Sequence, residues 1–509
     1  MHLVERLVSR HLAEERGDRV CYLDTELGEV TYARLYEAVR GYAGTLRARG
    51  VQPGTRGVVV ADDSVATVVA VLGLWWHGCM PVPVSHMLTE PEIFFIVRDS
   101  AARFMHLDAP AKKQLALGAE FVDLPQLTGD EVRQAFQAGG MAALRGQQRV
   151  DEPVSLPTDV EVLVQYTSGS TGTPKGVRHG LTGIGAILDG FGSVLALTPD
   201  DVVLSTAKLS FGYGFGNSLL FPLAAGASVI LLRGGMDVYV LTAALRRHRP
   251  SVIFSVPGVY AALLDRTETD HSCNLESVRL CVSAGEHLPQ ELGERFHTTF
   301  GIPLLNGLGA TEVLHIVVAT RPDGTTPGSI GFPVPEVTVT VRDAEGREVP
   351  DGAEGRLHVA GPSVMLGYLD RPESTARTLA DCGAYTGDIV QRTADGSIRH
   401  LCRADDLLNL GGFKVSPREI ETVVRRANGV ADCAVVGSVN EKGLEQAIAY
   451  AVPSAGVSAD ELRRAITRSL REHLAPFKRP ARVEVLDALP VTSTGKVARF
   501  TLRSAAEQL

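Results

Sequence analysis

The sequence lacks a long apolar run and contains no cluster of basic residues. Its most apolar stretch spans residues 65–76 and is followed at once by His77 and Gly78. A membrane-crossing helix needs roughly 18 or more apolar residues, so this stretch predicts a buried helix. The formal net charge of -9 over 509 residues disfavours nonspecific attraction to nucleic acid. We therefore expect neither a membrane nor a nucleic acid as a partner, and any anionic ligand must be held by a local site.

The sequence also lacks paired cysteines. Its seven cysteines form no CxxC pair, and no histidines lie at zinc-binding spacing. A dispersed, odd set is typical of reduced thiols, and residues 2–19 are charged throughout without the apolar core of a signal peptide. We therefore expect a cytoplasmic location. No HExxH or GxSxG motif, and no GxGxxG motif between a strand and a helix, indicates a metalloprotease, hydrolase or dehydrogenase.

The order of apolar segments indicates the fold class. Short β-rich runs such as 202–205 alternate with helical patterns such as 185–195. This alternation predicts α/β layers of largely parallel sheets with helices, and from about residue 336 the pattern becomes strand-rich. We predict a large N-terminal domain over 1–404, closed by a strand-rich subdomain, and a small α+β C-terminal domain over 405–509.

Residues 166–177, YTSGSTGTPKGV, combine three kinds of residue that suit a polyphosphate. Glycines let backbone amides approach a ligand closely, hydroxyls donate to phosphate oxygens, and a lysine offsets charge. The segment is not a Walker loop, because no GxxxxGK[ST] pattern occurs here or at Gly495-Lys496. The candidate residues of this phosphate loop are Thr167, Ser168, Gly169, Ser170, Thr171, Gly172 and Lys175.

The phosphate loop resembles the signature of the adenylate-forming superfamily, which includes acyl-CoA synthetases, the adenylation domains of peptide synthetases, and luciferases. The resemblance covers essentially the whole chain and implies an ATP-dependent enzyme that activates a carboxylic acid as its acyl-adenylate. It implies a mobile C-terminal lid as well. The further segments that resemble the superfamily, in the same order, are SAGE with Gly285 and Glu286, NGLGATE at 306–312, YTGD at 385–388, RAD at 403–405 and Gly495-Lys496.

The resemblance also implies a role for each nucleotide-site residue. Asp388 and Arg403 would bind the ribose hydroxyls, a task that suits a carboxylate. Thr311 would contact the α-phosphate, and Glu312 would hold Mg²⁺, which prefers hard oxygen ligands. ATP and Mg²⁺ are therefore the expected cofactors. The other expected nucleotide contacts are Gly285, Glu286, Asn306, Gly307 and Gly309.

Two more residues gain catalytic roles from the resemblance. A lysine such as Lys496, after a glycine in a polar loop, is usually a solvated surface charge. The resemblance instead places it between the carboxylate and the α-phosphate, where a fixed cation stabilises developing charge. Asp405 would be the hinge about which the C-terminal domain rotates, bringing Gly411 and Gly412 beside a pantetheine tunnel. The sequence departs from the family pattern at Cys402, where glycine is common.

Residues 208–217, KLSFGYGFGN, resemble those of benzoate-CoA ligases and related aryl-acid ligases. Their glycine-rich turns would build a flat slot in which a planar ring stacks on aromatic side chains. The alternative is that these aromatics belong to the core. His315 would line the ring edge and bond a substituent, although a lone histidine is more often structural. The expected acid-binding residues are Phe211, Gly212, Tyr213, Gly214, Gly309, His315, Ile316 and Lys496.

Gly212 carries the prediction about ring substituents. Benzoate-specific relatives typically have alanine here, so the loss of one methyl group would open room at the ortho position. This predicts salicylate- or anthranilate-like acids. The alternative is that the glycine meets a backbone requirement, such as a positive φ.

Three hypotheses remain about the activity of the protein and its acyl acceptor. The favoured one is an aryl-acid:CoA ligase, and the second is a stand-alone adenylation enzyme that loads a carrier protein or supplies another nucleophile. CoA and a carrier's phosphopantetheine present the same thiol, and the sequence shows neither a carrier domain nor an obvious basic patch for the CoA nucleotide. The third hypothesis, an inactive nucleotide-binding regulator, is disfavoured because Lys496 and Asp388 are both present. We expect a monomer or a homodimer.

Overall fold

In a computed structural model, the residues of the protein form two compact units. The first unit contains residues up to 167 together with 174–339 and 358–386, and the second contains 340–357 and 387–507. The domain boundary between 404 and 405 stays a prediction. The structure describes residues 2–507 apart from 109–110, 112–114, 116–123, 138–149, 156–157, 159, 168–173, 235–237, 271–272, 322–327, 411–412, 441–444 and 492–496.

A nine-stranded sheet forms the centre of the first unit. Its middle strands are parallel, as Val252–Ser255 shows by pairing in parallel with both Leu280–Ala284 and Val202–Ser205. These strands are buried apolar runs because a parallel sheet is covered on both faces. The largest hydrophobic core cluster contains residues from several of them. In order across the sheet, the strands are Phe332–Pro333, Ile316–Ala319, Leu304–Gly309, Leu280–Ala284, Val252–Ser255, Val202–Ser205, Ser228–Leu231, Val20–Asp24 and Gly28–Thr31.

A second sheet of the first unit is parallel throughout and contains four strands. The helix that follows its strand Arg56–Val60 is Val65–Trp76, and every residue of that helix is buried. The Ser64 side chain begins the helix by accepting a hydrogen bond from the Thr67 amide. The prediction of a buried helix is therefore confirmed, and no helix among the described residues is long and apolar enough to cross a membrane. The strands, in order, are Met80–Val84, Arg56–Val60, Phe104–Leu107 and Gln126–Thr128.

An antiparallel sheet carries the hairpin around the predicted phosphate loop. Glu161–Thr167 pairs with Lys175–Gly180, and Gly367–Tyr368 pairs with the second of these strands. Thr167 lies directly opposite Lys175. The hairpin therefore holds the two ends of the loop close together.

The helices of the first unit cover the sheets. The sequence predicts one helix over 185–195, but the structure has two, which meet at Gly190. A Cβ atom at Gly190 would lie 2.6 Å from the Pro335 carbonyl oxygen, so a tertiary contact fixes the break. The helical segments are Glu5–Ser9, Arg10–Ala13, Tyr32–Ala48, Val65–Trp76, Glu90–Asp99, Gly129–Gln137, Leu181–Asp189, Phe191–Leu195, Gly212–Phe215, Gly216–Leu220, Phe221–Ala225, Val238–His248, Pro257–Asp270, Gln290–Phe300, Thr311–Val313 and Pro372–Thr378.

The second unit is an α+β structure, the class that the sequence predicts for residues 405–509. Val430–Val439 and Glu445–Pro453 form a long antiparallel pair, with Arg482–Val485 parallel to the latter. The short strand Leu379–Ala380 lies in the first unit, and Thr338–Arg342 begins in the first unit and ends in the second. The remaining strands are Glu354–Ala360, Gly383–Arg392, Ile398–Arg403, Leu408–Leu410 and Phe413–Val415, and the helical segments are Ala404–Asp406, Pro417–Arg425, Ala459–His473, Pro476–Lys478 and Arg499–Ala506.

Candidate active site

The predicted nucleotide motifs meet at the carboxyl ends of neighbouring parallel strands. Ser283 pairs with Asn306 and Ala284 with Gly307, so SAGE and NGLGATE lie side by side. Gly285 follows at once with a φ of +87°, a conformation that favours glycine. The carboxyl edge of a parallel sheet is where α/β enzymes bind ligands. This placement brings together Gly285, Glu286, Asn306 and Gly307, and their contacts with the nucleotide stay a prediction.

Tyr368 connects the phosphate-loop hairpin to the predicted magnesium ligand. The Lys175 ammonium lies 5.2 Å from the centroid of the Tyr368 ring, and the Tyr368 hydroxyl donates a 2.6 Å hydrogen bond to Glu312 Oε1. Thr311 and Glu312 belong to the short helix Thr311–Val313. Lys175, Thr311 and Glu312 therefore share one region, whereas Ser168, Gly169, Ser170, Thr171 and Gly172 lie outside the described residues.

The chemistry of Glu312 fits a magnesium ion that is also bound to phosphates. A carboxylate is a hard oxygen donor, and Mg²⁺ commonly takes one or two carboxylates together with substrate phosphates and water. Among the described residues, no group of three or more His, Cys, Asp or Glu side chains is placed to hold a metal. A magnesium ion at Glu312 would take phosphate oxygens and water as further ligands.

The backbone at Leu314 is strained. Its φ of 72° and ψ of -47° belong to a three-residue turn, which the His315 amide closes by donating a 2.9 Å hydrogen bond to the Val313 carbonyl. This kind of γ-turn is rare and strained, and strained backbone often marks functional sites. Nothing in the sequence singles out Leu314, because an apolar residue with a positive φ is uncommon.

His315 lies in an aromatic cluster rather than in an open slot. Its ring stacks on Phe191 at 5.5 Å and meets Phe221 edge-on at 4.8 Å. Its Nε2 atom lies 3.3 Å from the Tyr213 carbonyl oxygen, and its Nδ1 atom has no hydrogen-bond partner among the described residues. Burial lowers the pKa of His315 to about 4, so the ring is neutral near pH 7. These contacts give His315 a structural role, and its predicted bond to a ring substituent stays a prediction.

The glycine-aromatic segment is half-buried over residues 211–213 and buried over residues 214–217. Phe215 is 1% exposed and packs edge-on against Trp75, which confirms the core alternative for that residue. The half-buried Tyr213 donates a 3.0 Å hydrogen bond through its hydroxyl to the Val282 carbonyl, and Phe211 is also half-buried. A Cβ atom at Gly214 would lie 2.1 Å from the Lys208 carbonyl oxygen. This glycine is therefore required by a close backbone approach.

Gly212 borders two oxygen atoms rather than open space. It begins the helix Gly212–Phe215, and its φ is not in the positive range, so the alternative of a positive-φ requirement is wrong. A Cβ atom here would lie 3.1 Å from Gln165 Oε1 and 3.4 Å from the Leu314 carbonyl oxygen. A methyl group at this position would therefore press on the Gln165 amide and approach the Leu314 carbonyl oxygen. Sequence reasoning missed Gln165, although a lone glutamine near the end of an apolar strand was a usable signal.

Gly309 and Ile316 face each other across an antiparallel pair. A Cβ atom at Gly309 would lie 2.3 Å from the His315 carbonyl oxygen, and one at Gly307 would lie 2.5 Å from Ile316 Cδ1. Both glycines are therefore required by packing between these strands. Ile316 is 2% exposed, and its predicted contact with the ring stays a prediction.

The predicted ribose residues belong to the second unit. Asp388 is 3% exposed and pairs with Arg403 across two antiparallel strands. Its Oδ1 atom lies 3.3 Å from Arg403 Nη1 and 3.0 Å from His400 Nε2. Sequence reasoning missed His400, because its proximity depends on the strand pairing. Asp405 lies in the short helix Ala404–Asp406, while Lys496, Gly411 and Gly412 lie outside the described residues.

This fold and arrangement of motifs define a class of adenylate-forming enzyme, and comparison with known families agrees. The AMP-binding enzyme model matches residues 9–369, and the AMP-binding enzyme C-terminal domain matches residues 419–496. The chain belongs to the AMP-binding enzyme family. The resemblance and the fold that the sequence predicts are thereby confirmed.

Individual relatives are similar over almost their whole length. The 3-hydroxybenzoate--CoA/4-hydroxybenzoate--CoA ligase of Thauera aromatica is 34% identical, with 99% of this chain and 97% of that protein covered. A crystal structure of a benzoate CoA ligase from Burkholderia xenovorans LB400 has a TM-score of 0.87 at 32% identity, covering 99% of this chain and 100% of that one. The anthranilate CoA ligase AuaEII in complex with anthranoyl-AMP has a TM-score of 0.89 at 28% identity, covering 100% and 98%.

Proposed function

We propose that this enzyme uses ATP to activate a small aromatic carboxylic acid as its acyl-adenylate and then transfers the acyl group to the thiol of CoA. The observation that carries the proposal is that SAGE and NGLGATE lie side by side at one sheet edge. The glycine-aromatic segment lies close by, because His315, three residues after NGLGATE, contacts the Tyr213 carbonyl oxygen. The similar proteins support the substrate class, since each is a CoA ligase for benzoate, a hydroxybenzoate or anthranilate by name.

The first half-reaction forms the acyl-adenylate. An oxygen of the carboxylate attacks the α-phosphorus of ATP, the bond from that phosphorus to the bridging oxygen breaks, and pyrophosphate leaves. The phosphate-loop hairpin and Thr311 would position the phosphates for this displacement, which depends mainly on alignment and charge stabilisation. Mg²⁺ held by Glu312 would supply positive charge at the phosphates. Lys496 would add a fixed cation beside the reacting oxygens.

The nucleoside would be held by the residues predicted for it. Asp388 would accept hydrogen bonds from the ribose hydroxyls, while Arg403, which already pairs with this carboxylate, would fix its orientation. His400 Nε2 on the same carboxylate oxygen would do the same from the other strand. Gly285 and Glu286 would contact the adenine.

The second half-reaction consumes the acyl-adenylate. The thiol sulfur attacks the carbonyl carbon, AMP leaves with the electrons of the broken C–O bond, and the thiol proton passes to a base or to water. Gly411 and Gly412 would let a thin pantetheine arm pass close to the backbone. A carrier protein's phosphopantetheine is the alternative acceptor, because it presents the same thiol.

A pyrophosphate-release screen tests the proposal. Aromatic acids should support ATP- and Mg²⁺-dependent pyrophosphate release, and long-chain fatty acids should support much less. Mass spectrometry after the addition of CoA should detect the aryl-CoA thioester. Better turnover of acetate or palmitate than of every benzoate tested would overturn the aromatic assignment. Pyrophosphate release without any thioester would instead favour the carrier protein or another nucleophile as acceptor.

A further inference from the structure

Gln165 is a buried amide that the described part of the protein does not satisfy. It follows the apolar residues of the strand Glu161–Thr167 and is 2% exposed. Neither its Oε1 nor its Nε2 atom has a hydrogen-bond partner among the described residues. Buried polar groups without partners destabilise a fold, and the large majority in native proteins are satisfied. An apolar side chain of similar size would fill the same space without this penalty.

The amide lies beside Gly212, which has no side chain. A Cβ atom built on Gly212 would lie 3.1 Å from Gln165 Oε1 and 3.4 Å from the Leu314 carbonyl oxygen. The Gln165 amide and the Leu314 carbonyl, from distant parts of the chain, therefore both border Gly212. Gly212 belongs to the segment that resembles the aryl-acid slot.

The Leu314 carbonyl belongs to a residue with a strained backbone, and its oxygen accepts no hydrogen bond from the described residues. Its residue has a φ of 72° in the turn closed between His315 and Val313, and no described residue donates a hydrogen bond to its oxygen. A carbonyl oxygen can only accept, whereas a glutamine amide can accept or donate, depending on which way it is turned. A hydroxyl or an amino group satisfies both partners. A hydrogen atom or a methyl group satisfies neither.

We propose that Gln165 is a specificity-determining residue that, together with the Leu314 carbonyl, binds a hydrogen-bond-donating ring substituent of the aromatic acid. The preferred substrate class is then an amino- or hydroxybenzoate rather than benzoate itself. A hydroxyl donates to Leu314 and accepts from the Gln165 amide, and an amino group donates to both oxygens. The inference rests on the proposed function and names the substrate class of that site.

The test compares kcat/KM for pyrophosphate release with benzoate and with the 2-, 3- and 4-amino and hydroxy acids. In Gln165→Met, the ratio of the best substituted acid to benzoate should fall by on the order of 10- to 100-fold, because the substituent loses its partner. Turnover of benzoate should be kept or increased. The melting temperature of the ligand-free variant should not fall, since two unsatisfied polar atoms are removed.

Val164→Ala is the matched control on the neighbouring residue of the same strand. The Val164 side chain packs in a different core cluster, with Val58, Val60 and Ile93. Its truncation should lower the melting temperature while leaving the substrate ratio unchanged. If Gln165→Met does not fold, Gln165→Asn, which withdraws the amide by one methylene group, gives the same readout.

The outcomes separate this inference from the proposed function. A wild-type enzyme that prefers benzoate to every amino and hydroxy acid overturns the inference but leaves the proposed function intact. An unchanged ratio in Gln165→Met, or an equal loss on all acids, also overturns it. If none of the aromatic acids tested supports pyrophosphate release by the wild-type enzyme, the proposed function and the inference are both overturned.

Discussion

At the scale of single residues, Gly212 is the position at which the predicted preference for ortho-substituted acids can be tested. Gly212→Ala would place a methyl group 3.1 Å from Gln165 Oε1, so the flexible amide must shift to make room. We expect kcat/KM to fall for a 2-substituted benzoate while that for benzoate is spared or improved. A pocket change of this size is worth about 1–3 kcal/mol of discrimination.

Competition between the two acids in one reaction measures this selectivity directly. Backbone strain is not expected, because the φ of Gly212 is outside the positive range. An equal loss on both acids would therefore contradict the steric argument, and unchanged selectivity in a folded variant would place the ortho position elsewhere.

Lys496 gives a second prediction at this scale. Lys496→Ala should lower the rate of adenylation by on the order of 10²–10³, the effect of removing one preorganised donor to developing charge. Thioester formation from a supplied acyl-adenylate should be largely retained, because the lysine serves only the first half-reaction. Single-turnover assays of each half-reaction measure the two effects. Equal losses in both, or in neither, would show that the role of Lys496 is misassigned.

Contacts that arise only through tertiary structure could not be predicted from the sequence. Asp388 and Glu312 could be proposed as site residues because YTGD and NGLGATE resemble motifs of the adenylate-forming superfamily. Gln165, His400 and Leu314 could not be placed in the same way. Their positions depend on strand register, on a helix start and on a strained turn, and local residue types do not encode these features.

At the scale of elements, the short helix Ala404–Asp406 is anchored on one side. Asp406 forms ion pairs with Arg499 and Arg503 of the C-terminal helix Arg499–Ala506. The carboxylate is partly buried, with a side-chain exposure of 20%. This tether fixes Asp406 to the C-terminal helix, directly after the predicted hinge at Asp405.

Asp405→Pro should therefore impair thioester formation more than adenylation. Proline fixes φ and restricts the residue before it, which limits any second arrangement of the chain at the hinge. Stopped-flow measurement of each half-reaction provides the comparison, with Asp405→Ala as a control that keeps the backbone free. Normal thioester formation in the proline variant would show that the chain does not rotate at this residue.

The elements themselves were largely predictable. The alternation of apolar strands and helices gave the layered α/β class, and Val65–Trp76 was recognised as a buried helix from its composition. The break at Gly190 was not predictable, because the glycine is required by a close approach to the carbonyl of Pro335, a residue far away in the sequence. Glycine alone does not distinguish a break from a close packing contact.

At the scale of the whole molecule, burial of histidines makes the fold sensitive to acid. Burial lowers the pKa of His106 and His315 to about 4 and that of His179 to about 3. In the unfolded chain these groups titrate near pH 6.5, so below that pH the unfolded state binds more protons than the folded state. Their contribution is fully present above about pH 6.5 and is lost as the pH falls towards 4.

Urea unfolding at pH 7, 6 and 5 should show a midpoint that falls with pH. His106→Asn should lessen this fall, because a neutral side chain replaces one buried histidine that is not among the candidate site residues. Asparagine can still accept a hydrogen bond from the Tyr42 hydroxyl, which lies 3.0 Å from His106 Nδ1. The exposed His297→Asn serves as the control. If the midpoint of His106→Asn falls as steeply with pH as that of the wild type, the assignment of this pH dependence to His106 is contradicted.

The two tryptophans of the chain lie side by side in the buried helix Val65–Trp76, and both indole N–H groups donate to backbone carbonyls. Intrinsic fluorescence therefore reports on the first unit alone, and the second unit is silent at tryptophan wavelengths. Far-UV circular dichroism records both units. A difference between the two unfolding curves would reveal that the units melt separately. Because Trp75 meets Phe215 edge-on at 5.9 Å, the same emission is a built-in optical probe of the glycine-aromatic segment when an acid binds.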